Sequence, residues 1–221
     1  MMRLIVLDTE TTGLNVEDGH KIIEIGCVEI IDRNITENVF HEYICPNRKI
    51  DEDAIKIHGI TNEFLKDKPI FSKIKDRFFS YLQDSDLIIH NAPFDIGFLK
   101  KEIADSNDNP DSIDEKRKIH DTLKMARNSH PGKRNSLDAL CDRYAIDRES
   151  RKQHGALLDA HLLANVYLKM TFGQTSLSGL TEIREEMKIN ETKLIDNRKQ
   201  RVIYANEEEL KDHQNFFTKP S

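Results

Sequence analysis

The chain has 221 residues, of which 38% are hydrophobic and 33% charged, and its formal net charge is −6 at pH 7. This length suits one sizeable domain with an appendage, and no apolar run is long enough for a transmembrane helix. The negative charge argues against a protein that grips nucleic acid through a broad basic surface. A nucleic-acid substrate would be bound locally, through metal ions, or with help from a partner.

The N-terminal apolar stretch is short, because Asp8-Thr9-Glu10 interrupts it before it could form the core of a signal peptide. We therefore expect a buried strand in a cytoplasmic protein that does not enter membranes. The three cysteines, Cys27, Cys45 and Cys141, are far apart and odd in number, with no CxxC spacing. They are expected to be reduced thiols in an apolar environment.

Hydrophobic patterning predicts an α/β domain with a mixed sheet. Strands are expected at residues 4–8, 21–31, 36–44, 87–90 and 118–122. Asp32-Arg33-Asn34 suits a hairpin turn, so the first three strands should form an antiparallel meander. Helices are expected at residues 70–82, 94–103, 135–144 and 155–170.

The character of the chain changes after residue 173. Residues 174–200 have many charges and little apolar periodicity, which is typical of a linker. Residues 201–221 resemble a strand followed by a short capped helix, a unit too small to be stable alone. We therefore predict a main domain at residues 1–173, a linker at 174–200 and a partner-binding tail at 201–221.

Acidic residues follow two of the predicted buried strands. Asp8 and Glu10 are two apart on a strand, so their carboxylates face one side, and Asp95 lies in the first turn of a helix that Pro93 opens. Each also has an ordinary structural explanation, because acidic side chains cap turns and helix starts. Two adjacent carboxylates at a buried strand end repel each other, and a divalent cation would remove that conflict.

The last predicted helix adds a fourth acid and a histidine. Asp159 is predicted beside apolar residues of this helix, where a carboxylate is costly unless it is paired or binds metal. His154 lies five residues earlier, about 140° away on an ideal helix, so the two residues cannot share a helical face. We therefore expect His154 on the loop before Gly155, from which it could reach over a metal site.

Four carboxylates from three segments predict a site for two hard cations, with Mg²⁺ the first choice and Mn²⁺ a substitute. Oxygen ligands argue against structural zinc. Two such ions would hold a phosphodiester, activate a water molecule and stabilise the leaving oxygen. Histidine side chains titrate near neutral pH, so His154 is assigned as the catalytic base that takes the proton from this water.

These residues also stand in three motifs: Asp8-Thr9-Glu10-Thr11-Thr12-Gly13, His90-Asn91-Ala92-Pro93-Phe94-Asp95 and His154-Gly155-Ala156-Leu157-Leu158-Asp159. Their order and intervals resemble the three exonuclease motifs of the DEDDh 3′→5′ exonucleases. The resemblance implies an RNase H-like fold with a mixed five-stranded sheet flanked by helices, followed here by a C-terminal partner-binding tail.

Further stretches resemble the epsilon subunits of bacterial DNA polymerase III, at residues 19–26, 131–141, 154–174 and 201–213. This resemblance implies a proofreading exonuclease that releases nucleoside 5′-monophosphates from mispaired DNA 3′ ends. It also implies that Asp53 and His58 contact the terminal nucleotide, together with Asp8, Glu10 and Asp159. The family has Glu where this chain has Asp53.

The same resemblance implies several partners. Gln174 and Leu177 resemble the epsilon peptide that inserts a glutamine and spaced apolar residues into a groove of the sliding clamp. Residues 201–221 resemble the segment that binds the polymerase alpha subunit. The expected partners are thus the DNA 3′ end, the alpha subunit and the clamp, and the sequence leaves a small theta-type subunit open.

The sequence leaves two other functions open. An RNA-trimming exonuclease would use the same five residues, because one metal pair cleaves either phosphodiester. A structural subunit that bridges polymerase and clamp would need only the tail. The Lys133-Arg134 pair is basic and lies in a loop, where it is either a phosphate contact or simply solvated.

Overall fold

The computed structural model of the protein describes residues 2–148 and 153–172. Gln174 and Leu177, the predicted linker at 174–200 and the predicted tail at 201–221 lie outside the described residues. Within the described part, no helix is long and apolar enough to cross a membrane.

Five strands form a single mixed sheet in the order β3-β2-β1-β4-β5. The strands are β1 (Arg3–Thr11), β2 (Ile22–Ile31), β3 (Asn34–Tyr43), β4 (Asp86–Ile89) and β5 (Ile119–Asp121). The first three are antiparallel neighbours, whereas β4 and β5 run parallel to β1. The predicted meander and mixed sheet are therefore confirmed. Asp32 and Arg33 both have positive φ, as a two-residue hairpin turn of type I′ requires.

The helices are α1 (Glu52–His58), α2 (Asn62–Leu65), α3 (Phe71–Leu82), α4 (Ala92–Asp105), α5 (Thr122–Ser129), α6 (Leu137–Arg143) and α7 (Ala156–Met170). Short 3-10 turns lie at Val16–Asp18 and Pro110–Ile113. The long helices α3, α4 and α7 lie close to their predicted positions. The short α1 and α2 were not predicted, because so few turns carry no clear apolar period.

The core lies on both faces of the sheet. Successive side chains of β1 point to opposite faces and so belong to two different core clusters. One face packs against α3 and α4 through Ile5, Leu7, Phe78 and Leu99. The other face packs against α7 through Leu4, Val6, Leu163 and Ala164. Asp8 and Glu10 continue the second series, so the strand directs both carboxylates toward the side of the sheet that α7 covers.

Gly26 on β2 lets α7 approach the sheet closely. It is the register partner of Asp8, and a Cβ atom added to it would overlap the backbone of Ala156 and Leu157. A larger residue would therefore push the first turn of α7 away from the sheet. This contact sets the distance between β1 and the helix that carries Asp159.

Candidate active site

A histidine and two acids meet where β1 ends beneath α7. One ligand atom from each of Glu10, His154 and Asp159 lies within 4.8 Å of the other two. Nδ1 of His154 is 3.2 Å from Oδ2 of Asp159, so the imidazole is oriented by that carboxylate. The Asp159 side chain is only 5% exposed, whereas that of His154 is 44% exposed. The pair thus has one buried member and one that solvent can reach.

His154 lies on the loop before α7, and its backbone joins that loop to α1. The backbone N–H of His154 donates a hydrogen bond to the carbonyl oxygen of Ile57, with a distance of 3.2 Å. Gly155 follows as the N-cap of α7 in an extended conformation. The imidazole therefore approaches Asp159 from outside the helix, and the two residues do not share a helical face.

Asp95 occupies the first turn of α4 and approaches the strand end from the opposite face of the sheet. Its Oδ1 accepts a 2.7 Å hydrogen bond from the hydroxyl of Thr9, whose side chain alternates with those of Asp8 and Glu10. Burial raises the pKa of Asp95 to about 7, and the charge of Asp121 acts in the same direction. The Thr9 hydroxyl opposes this rise, because it stabilises the carboxylate.

The three-residue cluster does not contain all the predicted metal ligands. Among the described residues, Glu10 and Asp159 belong to it, whereas Asp8 and Asp95 do not. Asp8 lies two residues before Glu10 on the same side of β1, and Asp95 lies behind Thr9. The structure thus brings the predicted acids to one end of β1 from both sides of the sheet.

This donor set fits divalent cations. Carboxylate oxygens are hard ligands. A carboxylate is costly to bury without a compensating positive charge, and Asp95 and Asp159 are each 3% exposed as whole residues. Ligands on opposite sides of Mg²⁺ are about 4.2 Å apart, since each lies about 2.1 Å from the ion. A carboxylate oxygen of Glu10 and one of Asp159 lie within 4.8 Å of each other, which is close to that value.

A cavity of about 660 Å³ opens beside the cluster and is lined by Glu10, Asp53, His58 and Phe94. His58 is the last residue of α1 and only 5% exposed, and its Nδ1 accepts a 2.9 Å hydrogen bond from the N–H of Ile60. Its buried Nε2 has no hydrogen bond of ordinary geometry within the described residues. Burial lowers the pKa of His58, so the neutral imidazole is favoured.

Asp53 differs from His58 because it is almost fully exposed. Its side chain is 91% exposed and pairs with Lys56 at 2.8 Å. The hydrogen bond and charge of Lys56 lower the pKa of Asp53, which keeps the carboxylate ionised. The two predicted nucleotide contacts thus differ, because His58 is a buried residue of the cavity wall and Asp53 is a solvated acid.

Three residues beside the site were missed in the sequence: Thr9, Gly26 and Glu24. Glu24 is the register partner of Glu10, is 2% exposed, and accepts a 2.7 Å hydrogen bond from His41. Both Gly26 and Glu24 fall within residues 19–26, one of the stretches that resembles the epsilon subunits. Strand alternation could have placed Glu24 opposite Glu10, but the sequence carries no signal for the Thr9–Asp95 bond.

Comparison with known proteins agrees with this geometry. The sequence profile of the exonuclease family matches residues 5–167. The DNA polymerase III epsilon subunit of Pasteurella multocida (strain Pm70) is 58% identical over 181 residues, covering 79% of this chain and 70% of that protein. The epsilon subunit of Escherichia coli (strain K12) is 47% identical over 220 residues, covering 96% of this chain and 90% of that protein. The chain belongs to the DNA polymerase III epsilon subunits.

Solved structures show the same fold in other members of the wider exonuclease family. Exonuclease X in complex with 5′ overhanging duplex DNA has a TM-score of 0.60 and 29% identity, over 77% of this chain and 92% of that one. The nuclease domain of 3′hExo, a DEDDh family member bound to rAMP, has a TM-score of 0.67 over the same shares. Its 19% identity makes this a similarity of fold alone.

The fold and activity that the three motifs predict are confirmed by these relatives. The chain is a 3′→5′ exonuclease of the proofreading class with an RNase H-like fold. DEDDh exonucleases generally use divalent metal ions. The roles of the individual site residues stay predictions.

Proposed function

We propose that the chain removes mispaired nucleotides from DNA 3′ ends as the proofreading subunit of a replicative DNA polymerase. In this proposal two Mg²⁺ ions, or Mn²⁺ in their place, are held by four carboxylates: Asp8, Glu10, Asp95 and Asp159. The observation that carries the proposal is the approach of Glu10, His154 and Asp159 within 4.8 Å at the end of β1. This arrangement joins cation ligands to a base that solvent can reach.

His154 acts as the base in this mechanism. If its Nδ1 donates to Asp159, the neutral imidazole has its lone pair on Nε2 and can take a proton from water. The resulting hydroxide attacks the terminal phosphorus, and the bond to the O3′ atom of the preceding nucleotide breaks. The bound cations would offset the negative charge that develops on the phosphoryl and leaving oxygens. The leaving O3′ takes up a proton from solvent, and His154 returns its proton to solvent. The products are a nucleoside 5′-monophosphate and a shortened strand with a free 3′ hydroxyl.

The terminal nucleotide is proposed to occupy the 660 Å³ cavity next to Glu10. His58 Nε2 is buried at its wall. Because Nδ1 accepts from the N–H of Ile60, Nε2 carries the proton of the neutral imidazole and would donate to the nucleotide. Asp53 lies at the solvated side, where its carboxylate would accept from a hydroxyl of the sugar. Asp8, Glu10 and Asp159 would contact the phosphate through the cations.

Selectivity would come from fraying of the primer terminus. A mispaired 3′ end unpairs at lower cost than a matched end, so it reaches the site more often. The net charge of −6 means that the chain has little general attraction for DNA, and the polymerase would supply most of the grip. The epsilon resemblance supports association with a DNA polymerase III complex in the cytoplasm.

The finer partner assignments concern the C-terminal quarter of the chain. We propose a nuclease domain at residues 1–173, a linker at 174–200 in which Gln174 and Leu177 contact the sliding clamp, and a tail at 201–221 that binds the alpha subunit. A theta-type subunit would be a further partner. Co-purification of the alpha subunit with a chain that ends at Gly173 tests the tail, because tight binding by that truncated chain would disprove its role.

The proposed reaction is tested with primers that differ only at the 3′ terminus. Mononucleotide release is measured in Mg²⁺ on matched and mismatched DNA primers and on an RNA strand of the same sequence, with and without the polymerase. We expect faster release from the mismatched DNA primer and a further increase when the polymerase is present. Equal or faster release from RNA would instead support an RNA-trimming enzyme.

A further inference from the structure

A second cavity, of about 630 Å³, lies beside the ends of β4 and β5, and its lining includes Arg127 and Lys133. We propose that these two side chains bind an internal phosphodiester of the strand whose 3′ end is being hydrolysed. This inference rests on the proposed function, because it adds a contact for the same substrate. It assigns a role to the loop at residues 130–136, which the reaction at β1 does not use.

The two cations have no polar partner among the described residues. Within residues 2–148 and 153–172, neither the Arg127 nor the Lys133 side chain makes a hydrogen bond or an ion pair. Other lysines in this acidic protein do pair with carboxylates: Lys21, Lys75, Lys100 and Lys101. The cavity thus has two cations in its lining without a carboxylate partner among the described residues, which makes it complementary to an anion.

Hydrogen bonds hold the loop in place before any ligand binds. Asn135 is 8% exposed, and its amide donates to the carbonyl oxygens of His130 and Lys133 at 3.3 and 3.1 Å. Its Oδ1 accepts a 3.0 Å bond from Arg143, which also donates to the carbonyl oxygen of Arg134 at 2.7 Å. A loop that is already ordered loses less conformational entropy when it binds a ligand. Binding through Lys133 therefore requires little further ordering of its backbone.

The cavity is at the same sheet edge as the acidic cluster. Because β1, β4 and β5 are parallel, their C-terminal ends lie together, and β5 is about 10 Å from β1 at the usual strand spacing. His90 and Asn91 line the cavity and immediately precede α4, the helix that carries Asp95. A strand whose scissile phosphodiester lies at the acids could therefore place a neighbouring linkage at Arg127 and Lys133.

The chemistry favours a phosphodiester over a neutral group. Arginine and lysine are the usual contacts to nucleic-acid phosphates, and such contacts carry no base preference. This suits an exonuclease that must shorten any sequence. Because both side chains are solvent-accessible, we expect the two together to raise the affinity for a single strand about tenfold. The affinity should depend less on salt concentration once both are removed.

The test uses the full chain and compares R127Q/K133Q with the unsubstituted protein on a single-stranded DNA oligonucleotide. We expect KM to rise about tenfold with little change in kcat. K66Q/K73Q is the matched control, because it removes two exposed cations that do not line this cavity. A p-nitrophenyl ester of thymidine 5′-monophosphate has no internal phosphodiester, so the ratio of kcat/KM on the oligonucleotide to that on the ester should fall only in R127Q/K133Q.

Oligonucleotides with one neutral methylphosphonate linkage locate the contact. As this linkage is moved stepwise from the 3′ end, one internal position should raise the KM of the unsubstituted protein about tenfold and leave that of R127Q/K133Q unchanged. Equal KM values for the two proteins on the normal strand would overturn the inference. Loss of alpha-subunit binding with a normal KM would also overturn it and would assign the cations to a protein contact. If the unsubstituted chain releases no nucleotide from DNA, the proposed function itself fails.

Discussion

The end of β1 and the end of β5 lie on one edge of the same sheet, yet they carry opposite charges. At β1 the acids are largely buried and are held by packing: Asp95 and Asp159 are each 3% exposed. Near the end of β5 the exposed cations are Arg127, in the last turn of α5, and Lys133, on the ordered loop that follows this helix. If both proposals hold, the difference lets an acidic protein act on a polyanion, with metal ions at the reacting phosphate and two basic side chains beside it.

Removing a proposed cation ligand at the end of β1 should have the largest effect on the rate of nucleotide release. We expect Asp159→Ala to lower the rate of nucleotide release by roughly a thousandfold or more, because bound cations supply several kcal/mol of transition-state stabilisation. Release from a mismatched primer in Mg²⁺ measures this loss, and circular dichroism tests whether the fold is retained. Full activity of the folded variant would contradict the two-metal proposal.

His154→Ala should show whether His154 acts as a base and not as a cation ligand. Loss of a general base reduces rates by about 10²–10⁴-fold, whereas the carboxylates remain in place. Calorimetric titration with Mn²⁺ should therefore give an affinity close to that of the unsubstituted chain. A large loss of Mn²⁺ affinity would instead make His154 a ligand in its own right.

Gly26→Ala tests whether the acidic end depends on the close approach of α7. The added methyl group overlaps the backbone of Ala156 and Leu157, so we expect a loss of about 1–3 kcal/mol in the free energy of unfolding. Displacement of Asp159 should also lower the rate, by up to about 10²-fold.

Gly97→Ala is the control for that variant. A Cβ atom at Gly97 in α4 meets no atom within 4 Å, and alanine is the better helix former by about 1 kcal/mol. Urea denaturation should therefore show Gly97→Ala to be as stable as the unsubstituted chain or more stable. Equal stability of the two glycine variants would show that α7 can move at no cost.

Asp95→Asn removes another proposed cation ligand, but its effect on stability without metal should be in the opposite direction from that of Gly26→Ala. The pKa of Asp95 is raised to about 7 by burial, so its stabilising contribution is complete near pH 4 and is lost as the pH rises through 7. At pH 8 in EDTA the variant should be more stable, by on the order of 1–3 kcal/mol, because it avoids an ionised buried group.

Urea denaturation at two pH values checks the Asp95→Asn prediction. The difference between variant and unsubstituted chain should shrink at pH 5, where the Asp95 carboxyl is protonated. Added Mg²⁺ should stabilise the unsubstituted chain more than the variant. A variant that is less stable at pH 8 in EDTA would show that the Thr9 hydrogen bond outweighs the cost of the buried charge.

Several features of the site could be predicted from residue spacing. Strand alternation places Asp8 and Glu10 on one side, and the helical angle between His154 and Asp159 moves the histidine onto a loop. Both arguments concern short-range geometry, which is the same in every strand or helix. The short helix α1 was missed, so the burial of His58 at its end could not be foreseen.

The three motifs predict the exonuclease fold, which the relatives confirm, and they also predict the acids and the base, because local periodicity and motif order are properties of the chain itself. Only the tertiary structure shows that Thr9 bonds Asp95, that Gly26 admits α7, and that Arg127 and Lys133 share a cavity. These contacts join residues far apart in sequence, and their distances depend on how the helices pack on the sheet. The acidic site is thus predicted by the motifs. The cavity of Arg127 and Lys133 lies near it only because the parallel strands β1, β4 and β5 end together.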